Sequence, residues 1–165
     1  MSAPLEIERV YLLARLPVLP ADAVALKLEQ GYLPDEPASD ATVEGRVRRT
    51  TYPDGRLKHV HTIKRGLGLV REETERELSP EEFAELWPRT EGRRILKTRH
   101  KVPAGELTWE VDAFLDRNLV LAEVELSSPT QAVEPPPWLA PYVLREVTND
   151  PRYRNYALAT GGTPR

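Results

Sequence analysis

Charged residues of like sign recur two apart along this 165-residue chain, in one strand-like segment after another. Glu6 and Glu8 open the series, and Arg46 and Arg48 follow. Arg71, Glu73 and Glu75 come next, then Lys97 and Arg99, Glu110 and Asp112, and finally Glu123 and Glu125. Residues i and i+2 of a β-strand project from one face, so each set points one way. The residues between them are often apolar, as Ile7, Val47, Val111 and Val124 are. Such strands side by side make a surface, or a lumen, crowded with carboxylates and guanidinium groups. That crowding is costly unless metal ions and polyanions share the space.

Glu6/Glu8 and Glu123/Glu125 are two Glu-x-Glu pairs from opposite ends of the chain, with Glu110/Asp112 as a third acidic pair. If the first and the late strand face one another, four carboxylates converge, and their repulsion calls for Mg²⁺ or Mn²⁺. Arg46/Arg48, Lys64, Arg71 and Lys97/Arg99 supply the complement. Arginine forks match phosphate oxygens in pairs, and lysine adds a compact point charge. Taken alone, any one pair reads as a solvated strand face or a salt-bridged sheet surface. Segregation argues for a site: bases fall on middle segments and acids on early and late ones, as metal on one side and phosphate on the other would require. Nucleic acid is disfavoured, because the interleaved aromatics of a stacking platform are missing.

The elements that must position these residues are mostly strands. Glu6–Arg15 alternates and stops before Pro17; Ala21–Leu26 reads as a short helix and Leu28–Leu33 as a second strand. Pro34–Asp40 marks an exposed loop. Strands over 43–51 and 58–65 flank Pro53-Asp54-Gly55, a hairpin signal. Gly66-Leu67-Gly68 reads as another turn, too short for a phosphate loop, leading to a strand over 69–77. Ser79-Pro80-Glu81-Glu82 caps and starts a helix that Pro88 stops. Strands over 93–102, 107–114 and 118–126 follow, then a Pro-rich loop and a final helix over Pro151–Thr160. The reading is a single domain over 1–165, α+β but mainly β, with eight antiparallel strands closed or nearly closed and three short helices. His59 and His61 share a face with Ile63, opposite Lys64, and belong to the outer surface. Trp87, Trp109 and Trp138 are packing anchors.

Composition sets bounds. A charge of −3, from 23 basic and 26 acidic residues, provides no bulk field for a polyanion, so local segregation matters more than the total. The absence of cysteine excludes disulfides and thiolate metal sites and suits a reducing cytoplasm. Three histidines lack zinc-site spacing, so any metal is a hard cation held by oxygens. No secretory signal is visible at the N-terminus, and no apolar run approaches the roughly 18 residues that span a bilayer.

In this order and spacing, the segments resemble the CYTH, or triphosphate tunnel metalloenzyme, family, in particular its short bacterial members typified by inorganic tripolyphosphatases. Glu6-Ile7-Glu8-Arg9 is similar to the start of the family's Glu-x-Glu-x-Lys signature. Gln30-Gly31-Tyr32-Leu33, Arg46-Val47-Arg48 and Thr62-Ile63-Lys64 resemble its next strands, and Glu91-Gly92-Arg93-Arg94 with Lys97-Thr98-Arg99 its following basic one. Glu110-Val111-Asp112 and Glu123-Val124-Glu125 resemble the late acidic strands, and Arg152-Tyr153-Arg154-Asn155 the closing segment. The resemblance implies an eight-stranded antiparallel tunnel and one or two Mg²⁺ or Mn²⁺ ions held by Glu6, Glu8, Glu123 and Glu125 with Asp112 nearby. It implies a phosphate chain gripped by Arg46, Arg48, Lys64, Lys97 and Arg99, with Arg71, Glu73 and Glu75 on the middle strand and Arg152 at the tunnel mouth. The activity it implies is metal-dependent hydrolysis of inorganic tripolyphosphate or a related linear triphosphate, with one of the four glutamates as base, by a cytoplasmic monomer or homodimer. Thiamine triphosphatase and class IV adenylate cyclase activities occur in the same family. One departure stands out: Val10 occupies the place of the signature lysine. Losing one charge-assisted contact costs about 1.5–3 kcal/mol, which leaves room for a triphosphate or polyphosphate binder with weak turnover.

Overall fold

The computed structural model describes residues 5–34, 43–66 and 68–164. Its strands are β1 (Leu5–Leu13), β2 (Val24–Tyr32), β3 (Val43–Thr51), β4 (Leu57–Arg65), β5 (Val70–Leu78), β6 (Arg94–Ala104), β7 (Leu107–Phe114), β8 (Val120–Glu125) and β9 (Val143–Glu146). The first eight form one antiparallel sheet in the order β5-β4-β3-β2-β6-β7-β8-β1, and pairing of β1 with β5 closes it into a barrel. The eight-stranded closed barrel expected from the alternation is the observed fold. β1 is shared: Leu5–Ile7 pair with β5, whereas Tyr11–Leu13 pair with β9, a short ninth strand.

Period-2 alternation sorts the side chains. On β1, β7 and β8 the outward phase is apolar: Ile7, Tyr11, Trp109, Val111, Ala122 and Val124 form a core outside the barrel wall, roofed by Leu139 and Trp138. A second outer core joins Leu33, Val47 and Leu78 to Phe83 of α1 (Pro80–Leu86). His59 lies on this outer face, its ring 4.8 Å from that of Phe83. Ser79 caps α1 as expected: its hydroxyl accepts from Glu82 N, while the Glu82 carboxylate accepts from Ser79 N, both at 3.1 Å. Gly31 is required by packing: a Cβ there would stand 2.4 Å from Thr90 Oγ1, in the turn that follows α1.

A third cluster lies inside the barrel. Tyr32, Ile95, Phe114 and Leu121 of the wall meet Val147, Tyr153, Leu158 and Ala159 of the C-terminal segment, so that segment stoppers one end of the lumen. Two expectations need correction. Ala21–Leu26 is not a helix; Ala21 and Asp22 form a turn and β2 begins at Val24. Pairing of Val24–Leu26 with β6, joined from Lys27 onward by pairing with β3, outweighs the helix preference of the Ala, Leu and Lys residues there. The final helix is shorter than expected: Pro151–Tyr153 make a 3-10 turn, and α2 runs over Asn155–Gly161. Most of the expected Pro34–Asp40 loop, and Leu67 of the glycine turn, lie outside the described residues.

Candidate active site

The inward phase of the barrel is ionic. β1 and β8 are neighbours, with Glu8 opposite Glu125 and Val10 opposite Glu123, so the two Glu-x-Glu pairs lie side by side on one wall instead of facing each other. Glu8 feels this crowding. Burial, then the charges of Glu123 and Glu6, raise its pKa well above that of an ordinary glutamate, against weaker relief from Lys64 and Arg99. Burial also raises Glu123, although Arg99 pulls it down, and burial and Glu6 raise Glu125.

The bases come from β3, β4, β5 and β6. Lys64 Nζ donates to both oxygens of Glu6, at 2.9 and 3.0 Å, and lies 3.6 Å from Glu73. Thr62 donates to Glu75 at 3.4 Å. On β6 and β7 a fully buried set forms around Asp112. Lys97 Nζ donates to Oδ2 at 2.7 Å, and Arg99 clasps both oxygens at 2.8 Å while also reaching Glu123 at 3.2 Å and Glu110 at 3.3 Å. Burial disfavours the charge on Asp112, but Arg99 and Lys97 outweigh it and hold the carboxyl well below the usual range. Burial pulls Lys97 down to about 8, with Asp112 opposing.

The paired arginines of β3 are less well matched. Arg48 donates to Gln30 at 2.8 Å, and burial, Arg46 and Arg99 together lower it to about 9. Buried Arg46 keeps an Nε without an acceptor. Burial would lower its pKa, but Tyr32 and the charges of Glu6 and Glu73 outweigh that and raise it. Arg71 lies 3.1 Å from Glu44, yet its Nε and Nη2 make no aligned hydrogen bond. Buried donors without acceptors are costly, and they lie in the lumen where an anion would meet them.

Of the residues singled out from sequence, Glu6, Glu8, Glu123, Glu125, Arg46, Arg48, Lys64, Arg71, Lys97, Arg99 and Asp112 all occupy the inward phase. Arg152 does not join them: it is exposed and folded onto Asp150 at 2.7 Å. Glu44 is not among the residues singled out, and Arg154 enters only through the likeness of the closing segment, with no role of its own. Glu44 is 2% exposed and bound by Arg71 and Arg154. Its signal was present, since it continues the Arg46/Arg48 phase by one step. Arg154 carried none, because it projects from a loop.

The oxygen donors suit a hard cation. Among the described residues no three acids stand together as a finished metal cage, and both Asp112 oxygens are occupied. Mg²⁺ rarely needs such a cage; it takes one or two carboxylates and completes its shell with water and phosphate oxygens. The crowded carboxylates of Glu8 and Glu123, whose mutual repulsion a cation would relieve, fit that demand.

Fold and lumen together define an antiparallel β-tunnel with an acidic wall beside a basic one and one stoppered end. No protein-family profile matches the chain. It is 41% identical over 160 residues to an inorganic triphosphatase of Nitrosomonas europaea, covering 93% of this chain and 96% of that protein. A 63-residue stretch is 46% identical to an inorganic triphosphatase of Acetivibrio thermocellus, 37% of this chain and 38% of the other. The crystal structure of the inorganic triphosphatase NE1496 aligns with a TM-score of 0.63 at 35% identity, covering 96% of this chain and 97% of that one. A Pyrococcus horikoshii protein at 17% identity and TM-score 0.60 shares the fold alone, over 76% of this chain and 80% of its own. The chain belongs to the CYTH, or triphosphate tunnel metalloenzyme, family.

Proposed function

We propose that this chain is a divalent-metal-dependent triphosphatase acting on inorganic tripolyphosphate or a related linear triphosphate. The observation that carries the reading is the set of buried lumen arginines with donors that make no aligned hydrogen bond, Arg46 Nε and Arg71 Nε and Nη2, beside Arg48, whose Nε donates to the neutral Gln30. The likeness to curated inorganic triphosphatases supports the same substrate class. Arg46, Arg48, Lys64, Arg71, Lys97 and Arg99 spread the phosphate chain and meet the charge that grows on its oxygens during transfer, which is positioning with fixed electrostatics. Glu6, Glu8, Glu123 and Glu125 would hold Mg²⁺ or Mn²⁺, which when bound polarises phosphate and lowers the pKa of water. A carboxylate of the same wall accepts the proton of the attacking water. Asp112 serves here by fixing Lys97 and Arg99, and Glu73 and Glu75 by tethering Lys64 and Thr62. Among the described residues no helix is long and apolar enough to cross a membrane.

A second reading, a triphosphate or polyphosphate binder with little turnover, draws on Val10, which lines the inner cavity where the signature carries a cation. Phosphate release from tripolyphosphate, ATP and thiamine triphosphate, with Mg²⁺ or Mn²⁺, tests both. Turnover fastest on tripolyphosphate is expected. Metal-dependent binding without turnover would favour the second reading, and neither binding nor turnover would end both.

A further inference from the structure

At the stoppered end of the lumen lies a cavity of about 40 Å³, whose wall includes the cations Arg46, Lys64, Arg71 and Arg154 and the acids Glu8, Glu44 and Glu123. That is room for a few waters, not for a phosphate group, so an anion reaches this end only if a side chain yields. Glu44 is the side chain positioned to do so. It is 2% exposed, and its two oxygens are divided between two arginines: Oε2 lies 3.1 Å from Arg71, and Oε1 accepts from Arg154. Two guanidinium groups converging on paired oxygens is how proteins recognise a phosphate. Arg71 in this grip is imperfectly satisfied, with Nε and Nη2 lacking aligned acceptors, and Arg46 Nε beside it is likewise unmet.

We propose that Glu44 is an internal placeholder: its carboxylate occupies the position of a terminal phosphoryl group, holds Arg71 and Arg154 in place while the tunnel is empty, and is displaced when the ligand arrives. This rests on the triphosphatase reading given above. The exchange is one anion for another on the same cations and involves no covalent step. Its consequence is competition. The charge of Glu44 opposes ligand binding, while keeping two buried arginines from repelling each other in the empty protein. Arg154 thereby becomes a ligand-contacting cation in the same cavity that Val10 lines, where the strand signature lacks one.

Glu44→Gln removes the charge and keeps the shape. In EDTA, calorimetric titration with sodium tripolyphosphate should show the variant binding at least tenfold tighter than the wild type, because no carboxylate competes for the arginines. Equal or weaker binding by a folded Glu44→Gln overturns the proposal. If the variant does not fold alone, refolding in tripolyphosphate should recover it, the added anion replacing the lost one; failure of that rescue also overturns the proposal. Arg154→Gln should bind tripolyphosphate at least tenfold more weakly, with Arg154→Lys restoring most of the loss, whereas unchanged binding in Arg154→Gln counts against the exchange. A wild type that binds no tripolyphosphate under any condition would instead refute the triphosphatase reading itself.

Discussion

Asp112→Asn should be the most damaging conservative change in the lumen. The wild-type carboxylate is fully buried and holds two cations, Lys97 at 2.7 Å and Arg99 through both oxygens at 2.8 Å. Asparagine fills the same volume but leaves those cations facing each other without their counter-charge. Removing one partner of a buried ionic set costs about 3–5 kcal/mol. For a domain of this size, at roughly 2–4 °C per kcal/mol, that is a melting-temperature drop of about 6–20 °C. The sign with pH can be worked out. Asp112 has a folded pKa held below its unfolded value, so its stabilisation is present above the ordinary carboxylate range and is lost as pH falls through the depressed folded value. The gap between wild type and variant should therefore be wide at pH 7 and narrow only in strong acid. It should also narrow as pH rises toward 8 and then level off, because Lys97, at about 8 beside Asp112, sheds its proton at lower pH without it. Urea unfolding from about pH 2 to about pH 9, with Lys97→Met in a double-mutant cycle, follows the onset of the acid loss and the narrowing toward pH 8. A loss under about 1 kcal/mol at pH 7, or a gap indifferent to pH, would refute the reasoning.

Arg48→Gln should behave in the opposite way. Burial, Arg46 and Arg99 already pull its pKa down to about 9, so the variant should lose less than about 1 kcal/mol of stability while tripolyphosphate affinity falls by about one to two decades; thermal melts and calorimetry on the same samples separate the two effects. Glu8 has its folded pKa raised, so its contribution is favourable below about pH 4.5 and is lost as pH rises through the folded value. In EDTA, Glu8→Gln should accordingly melt higher than wild type at pH 8, with the advantage shrinking toward pH 5, and equal melting at both pH values would contradict this; the same variant should lose metal-dependent turnover. Val10→Lys, opposite Glu123 on the β1–β8 ladder, should raise tripolyphosphate turnover about tenfold by restoring one charge-assisted contact. Unchanged turnover would show that the absent signature cation does not limit the reaction.

The barrel was legible because its code is local. Glu6-Ile7-Glu8, Arg46-Val47-Arg48 and Glu123-Val124-Glu125 each state an inward and an outward face within three residues, and six such sets along the chain point to one closed sheet with an ionic inside. Val24–Leu26 misled because Ala and Leu favour helix, and only its ladder partner β6, far along the chain, decides otherwise. β9 was illegible for a simpler reason: four residues are too few to display alternation. Within the lumen, phase revealed which residues point inward but not which pairs meet. The Glu-x-Glu pairs prove to be ladder neighbours, and Asp112 is enclosed by Lys97 and Arg99, matters of register and barrel stagger. Arg154 escaped because its position comes from the docking of the C-terminal segment, which follows no period.

The shared strand β1 has a consequence for how the protein is made. β1 is made before β8 and β9, which pair with its Glu8–Leu13 part and end at Glu125 and Glu146, so that part waits for its neighbours while the intervening strands are synthesised. Pairings between such distant stretches close large loops and come late and slowly. Until then β5 has a bare edge where β1 will dock, open to any passing extended chain. Docking of Leu5–Ile7 on Val70–Glu72 is the contact that covers this part of the β5 edge.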